Sequence, residues 1–354
     1  MGLREFFEAL FGSSTPAPAP ASDMQRWQNL LAVGRQARQR GACDEALRTF
    51  EDVLVEVRRA QNRVAEATVL GHIGAVYTDL RRWEEAQRIL QEALGIARAR
   101  NDATLLAAVL NDWGDHWLAR GSAQQAQQAY VEALEHARRG TDPSLTAHIL
   151  AKLADRYMDQ QNASYARRLL EEANQLTRYQ VPGLVGRLGE ATIATGHETD
   201  GHRWVVQALR LSHALGDADE EVRWAWSLAR RYTQTGKLHE ANRLYQRISA
   251  LSAQGADIGR EQRLHLLLDQ ADVSRQIGRN DEAIRYVEQA IPLAEDLGQM
   301  GEVARAHGLL GAVYRSVGDY DQAVGHLQTA LSYLATDAPL AEAIGLQLEL
   351  ARAQ

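Results

Sequence analysis

Chemistry needs particular side chains at particular spacings, and a few places in this chain come close to meeting such a need. His197 and Glu198, followed by His202, approach the His-Glu-x-x-His pattern that sets two imidazoles on one helix face around zinc. The second histidine comes one residue too late, and the stretch falls in a turn, so a solvated or capping role is expected. GLVGRLG (183–189) has the glycine density of a phosphate loop. Such a loop must leave a strand and open a helix whose amides face the phosphate, and no strand-like run precedes this one. Cys43 is the single cysteine, which excludes an intrachain disulfide and a cysteine-rich metal site. His72, His116, His148 and His265 lie on separate segments, and no Gly-x-Ser-x-Gly elbow occurs. The residues point to no reaction, no metal and no cofactor; the chain is expected not to be an enzyme.

The elements that carry these residues are repeated. The stretch from Ala67 to Asp102 reads as two amphipathic helices joined by a tight turn, and versions of it recur along the chain. A small residue opens each second helix: Ala46, Ala86, Ala126, Ala166, Gly201, Ala241, Ala283 and Ala323, with successive spacings of 40, 40, 40, 35, 40, 42 and 40. Twelve residues earlier stand Gly34, Gly74, Gly114, Ala154, Gly189, Ala229, Ala271 and Gly311, where two helices must approach closely. Five residues before the anchor, six copies carry a turn glycine: Gly41, Gly121, Gly196, Gly236, Gly278 and Gly318. A helix pair this short cannot bury its apolar face alone, so each copy needs a neighbour to stack on.

VLGHIGAVYTDLRRWEEAQRILQEAL (69–94) and GLLGAVYRSVGDYDQAVGHLQTAL (308–331) resemble the tetratricopeptide repeat family. The period of about 40 residues, longer than the family's usual 34, is similar to the long-helix arrays of kinesin light chains and bacterial effector-sensing regulators. HEAT and armadillo repeats share the period but not the demand for small residues at these positions. The resemblance implies an all-α, right-handed α-solenoid of about eight helix-turn-helix units over 24–338, with residues 339–354 as a C-terminal capping helix or a truncated ninth repeat. The fifth unit, near 180–216, is irregular. Its shortened spacing predicts a shorter second helix in repeat four, with Pro182 at the break.

In that family the inner faces of the first helices line a concave groove and do the binding. Carried over by register, the resemblance implies a peptide- or protein-binding face of Asn111, Asp112, Asp115, Asp155, Asp159, Arg187, Glu190, Arg223, Trp226, Arg230, Asp269, Asp272, Arg275, Arg305 and Arg315. Asn111 and Asp112 stand where kinesin light chains have paired asparagines that face peptide backbone. Trp113, Trp117 and Cys43 fall on packing positions. Repeats three and four supply acids against Lys152 alone, and repeats six and eight supply arginines, so a ligand with opposite charges at its two ends is expected.

Residues 1–12 stand apart. Leu3, Phe6, Phe7, Leu10 and Phe11 form one stripe of a short amphipathic helix, followed by a Pro/Ala/Ser-rich linker over 13–23. Twelve residues are too few for a stable helix in water, so this segment should order on docking to a protein groove, its own or a partner's. Membrane contact through 1–12 is disfavoured because Arg4 faces Glu5 and Glu8 and offers no cationic face. The net charge of −7 gives no general attraction to nucleic acid. Without a run long enough to cross a bilayer or a secretory signal pattern, the cytoplasm is the expected compartment. The expected function is a scaffold or adaptor that binds a peptide or protein segment. The alternative is an effector-sensing regulatory module whose output domain is absent from this chain.

Overall fold

The computed structural model describes residues 21–334 and Gly345. The expected docking helix over 1–12, the linker over 13–20 and the capping helix over 339–354 lie outside the described residues. Within them there are sixteen helices and no strand. They are α1 (Ala21–Gln39), α2 (Cys43–Arg59), α3 (Arg63–Asp79), α4 (Trp83–Arg100), α5 (Ala103–Ala119), α6 (Ala123–Ala137), α7 (Pro143–Asp159) and α8 (Ala163–Leu176). Then follow α9 (Pro182–Ala194), α10 (Glu198–Leu215), α11 (Ala218–Gln234), α12 (Leu238–Ala253), α13 (Arg260–Gln276), α14 (Asn280–Asp296), α15 (Met300–Ser316) and α16 (Tyr320–Tyr333). Odd-numbered helices are the first and even-numbered helices the second of each pair, giving eight units of an all-α repeat solenoid. The linker ends sooner than expected. Ala21, Ser22 and Asp23 already belong to α1, where an alanine and a first-turn acid favour helix over extended chain.

Each pair closes by setting a large side chain of the second helix into the space left by a small residue on the first. A Cβ on Gly74 would sit 2.6 Å from Leu90, one on Gly34 2.4 Å from Phe50, and one on Gly114 2.4 Å from Tyr130. Gly311 meets Leu327 in the same way. The anchors Ala46, Ala86, Ala126, Ala166, Ala241, Ala283 and Ala323 are completely buried. First helices also lie beside the next first helix: α1, α3, α5 and α7 follow one another in this way in the first unit, and α13 lies beside α15 in the second.

The turn inside each pair needs a left-handed residue. Gly41, Gly121, Gly196, Gly236, Gly278 and Gly318 have φ between 75° and 85°, while Arg81 and Gln161 adopt φ of 56° and 59° at the same position of repeats two and four. First helices are started by capping carboxylates and amides. Asn62, Asp102, Asp142 and Asp217, each twelve residues before the small position, accept from backbone N–H groups of the first turn.

The chain divides into two compact units, one running to Gln180 and including Ala194–Gly196, the other comprising Val181–Ile193 and the chain from His197. The division falls at the irregular spacing. The expected location of the shortening needs correction, however. Pro143 stands eleven residues before the small Ala154, whereas Pro182 stands only seven before Gly189, so four of the five missing residues come from the start of α9. With 13 residues, α9 is four shorter than the first helix α7 with 17, because Pro182 opens it late and denies it a further turn on its N-terminal side, while α8 with 14 is only one shorter than the second helix α6 with 15.

Candidate functional site

In the second unit, one face of α11 forms the floor of an open cleft of about 850 Å³. Val222, Arg223, Trp226, Ser227, Arg230, Arg231 and Gln234 share that face, since they recur at one-turn spacing. Glu190 and Ile193 of α9 form one wall, and Gln262 and His265 of α13 form the other. Asp269 ties the floor together. It accepts from Trp226 Nε1 (3.1 Å), Arg230 Nε (3.2 Å), Arg305 Nη2 (3.3 Å) and the Tyr245 hydroxyl (3.5 Å). Its side chain is only 13% exposed, so these donors replace most of its water. Arg223 lies over the Trp224 ring at 5.0 Å, with Glu220 at 3.7 Å.

The first unit has a smaller cleft of about 490 Å³, lined by Arg35, Arg38, Gln39, His72, Asp79, Asn111, Asp112, Asp115, His148 and Lys152. Here Asp115 is the organiser: Lys152 Nζ lies 2.6 Å from both its oxygens, and the Tyr130 hydroxyl donates to it at 2.6 Å. Tyr130 crosses over Gly114 to reach that carboxylate, which explains why α5 has no side chain there. Burial and Asp115 push the Tyr130 phenol up, so it stays a donor. Asp79 holds Arg38 in two hydrogen bonds. Asp112 receives the Asn111 amide at 3.4 Å. Its carboxyl is pushed up to about 7 by burial and then by Asp115, against the opposing pull of Lys152, Arg38 and Asn111. His72 stacks on Phe50 and is pushed down to about 4, by burial and then by Arg35 and Arg38.

The first-helix register thus brings Asn111, Asp112 and Asp115 into one cleft and Glu190, Arg223, Trp226 and Arg230 into another, with Asp269 and Arg305 bonded beneath the second. The remaining positions are not gathered there. Asp159 is exposed and pairs with Arg156 at 2.8 Å, and Asp272 is held by Arg275 at 2.7 Å. Asp155, Arg187 and Arg315 are half-buried on α7, α9 and α15. The expected division of charge along the face is not kept. The first cleft is lined by Arg35, Arg38 and Lys152 as well as Asp79, Asp112 and Asp115, and the second by Glu190, Asp219 and Asp257 as well as Arg223, Arg230 and Arg231. Glu190 belongs to the first-helix register. The other compensating groups, Arg35 and Arg38 of repeat one, Asp219 at the start of α11 and Asp257 in the loop before α13, lie outside it, as does Arg231 of α11.

Tyr130, Tyr245 and Trp224 are among the residues that the sequence reading did not name. Tyr130 and Tyr245, each four residues after an anchor, are buried inside their helix pairs, but their hydroxyls emerge at the groove aspartates. Trp224 is completely buried against Gly186, where a Cβ would come within 2.3 Å of its ring, and Gly189 lies against Gly201 and Val205. The glycines of 183–189 are therefore docking space for α10 and α11. Trp113 and Trp117 pack edge to face at 5.5 Å, with the buried His116 stacked on Trp113. His202 packs on Tyr232 at 5.5 Å, and Cys43 is a half-exposed free thiol at the start of α2. Among the described residues, no three His, Cys, Asp or Glu side chains converge as metal ligands, and no helix is long and apolar enough to cross a membrane.

Residues 69–104 and 262–335 each match the family description "Tetratricopeptide repeat". The chain contains tetratricopeptide repeats. Solved structures repeat the fold along most of its length. The signal transduction ATPase with numerous domains from Pyrococcus horikoshii, which has a tetratricopeptide repeat sensor, superposes with a TM-score of 0.62 at 16% identity, over 94% of this chain and 50% of that one. The apo quorum sensor NprR from B. thuringiensis gives 0.57 at 13% identity, over 87% of each chain. A Rap protein complexed with competence and sporulation factor gives 0.54 at 11% identity, over 93% of this repeat array and 98% of that protein. At these identities the likeness concerns the fold. The sequence matches no curated protein.

Proposed function

We propose that this repeat array recruits another protein or a peptide through its first-helix faces and performs no chemistry of its own. The observation that carries this reading is the α11 face. Arg223, Trp226, Ser227 and Arg230 are presented together into an open cleft walled by two further first helices. Arginine and tryptophan are the side chains that contribute most where proteins meet, because each combines a large contact area with directional donors. A cleft with both signs of charge and an indole suits a segment carrying an acidic residue near an apolar one. The fold shared with a quorum sensor, and with a Rap protein complexed with competence and sporulation factor, supports a second reading. There the same face would sense an effector on behalf of an output domain outside these residues.

Affinity capture with the full chain, followed by titration of the partner against a charge variant, tests the proposal. Arg223→Glu should be combined with Arg230→Gln rather than Arg230→Glu, which would set a second carboxylate beside Asp269. The double variant is expected to bind about ten-fold or more weakly. Unchanged affinity for every captured partner would remove the α11 face from the function.

A further inference from the structure

Asn111 and Asp112 are neighbours on α5 that both line the cleft of the first unit. Asn111 is only 6% exposed, and its buried Oδ1 meets no hydrogen-bond partner. Its Nδ2 turns to Asp112 at 3.4 Å, so the amide lies on the cleft side of the helix. Asp112 is half-buried and forms no ion pair among the described residues. The two cations nearest in the lining are already committed, Arg38 to Asp79 and Lys152 to Asp115. The cleft therefore offers a carboxylate and a desolvated amide oxygen side by side, the carboxylate meeting the long Asn111 Nδ2 contact but no ion-pair partner and the amide oxygen no internal donor.

The occupant that fits carries several N–H donors and a positive charge. A guanidinium can give two parallel N–H groups to the carboxylate and a third to the amide oxygen, and an ammonium can divide its three in the same way. An anion would meet Asp112 and Asp115, and an apolar group would leave both acceptors unsatisfied. We propose that Asn111 and Asp112 form a cation subsite that takes a guanidinium or alkylammonium group of the ligand. This deepens the binding role proposed above and rests on it. It assigns a charge to one point of the ligand, at a cleft separate from the one lined by Arg223 and Trp226.

The exposed Arg35 of α1 lines the same cleft and is the internal competitor, so it belongs in the test. The full chain is titrated by calorimetry, at pH 8 and low salt, with a capped alanine pentapeptide bearing a central arginine, with its citrulline counterpart, and with agmatine alone. The arginine peptide is expected to bind about ten-fold more tightly than the citrulline peptide. That preference should fall below about two-fold in Asp112→Asn, and should weaken in Asn111→Ala, both with unchanged circular dichroism. Agmatine binding as tightly as the peptide would assign the subsite to a free small cation; tighter peptide binding would assign it to a basic side chain of a docked segment. Either supports the cation subsite. Equal binding of both peptides, binding of neither, a preference that survives Asp112→Asn, or a preference seen only in Arg35→Ala would overturn it. Loss of this subsite leaves the capture result at the Arg223 cleft untouched, so the two proposals fail separately.

Discussion

At the scale of the residue, glycines with the same sequence appearance have opposite roles. A methyl group on Gly74 would meet Leu90 at 2.6 Å, whereas Gly95, exposed on α4, has nothing within 4 Å. Gly74→Ala should lower stability by about 1–3 kcal/mol through overpacking. Gly95→Ala should raise it by about 0.5–1 kcal/mol by restricting the unfolded chain and favouring helix. Denaturant melts of the two variants check the signs, and a similar effect at both positions would mean that the small-residue register does not set the helix approach. The sequence marked Gly74 as special through its period. It could not distinguish Gly95, because no single position reveals what stands opposite.

Asp112 gives a prediction in pH at the same scale. Its folded carboxyl titrates near 7, above the ordinary carboxylate range, so the folded state binds the proton more tightly than the unfolded chain. The stabilising protonated form is complete below the ordinary carboxylate value and is lost as pH rises through about 7. Asp112→Asn should therefore match wild type near pH 3 and exceed it by about 1–2 kcal/mol at pH 8, allowing for solvent at the half-buried site. The facing groups are Arg35, Arg38, Lys152, Asp79, Asp115, His72 and His148. With its value near 4, His72 is largely neutral across this window. A stability difference that does not change with pH would show that the carboxyl titrates in its ordinary range.

At the scale of the element, the eight pairs could be read from spacing because close helix approach demands small residues at fixed offsets, and such residues recur whatever surrounds them. The caps follow the same period, at Asn62, Asp102, Asp142 and Asp217, and could have been read too. Asp142 accepts from two backbone N–H groups, at 2.9 and 3.0 Å, ahead of Pro143. Asp142→Ala should cost about 1–2 kcal/mol, detectable as a lower melting temperature; Asp142→Asn should recover most of it. Full loss with asparagine would place the effect in charge rather than in capping. The groove pairings could not be read, because partners such as Trp226 and Asp269, or Arg305 and Asp269, lie 43 and 36 residues apart and meet only through the stacking of successive repeats. The late start of α9 was half-visible: the sequence contained the deletion and Pro182, but not on which side of the turn the residues were lost.

At the scale of the molecule, each of the two units presents its own cleft, built from first helices and anchored by one aspartate with several donors, Asp115 in the first and Asp269 in the second. In a repeat array stability comes from neighbouring contacts, so the outward first-helix faces are free to vary with the ligand while the fold persists. That freedom is why family and fold were readable and the partner was not. It also sets the decisive measurement, the affinity of a captured partner for three versions of the full chain. These are wild type, Arg223→Glu with Arg230→Gln, and Arg203→Glu, which reverses an exposed charge on the second helix α10. Binding through the first-helix face predicts a loss of about ten-fold or more for the α11 variant and little change for Arg203→Glu. Equal losses in both, or a loss confined to Arg203→Glu, would contradict it.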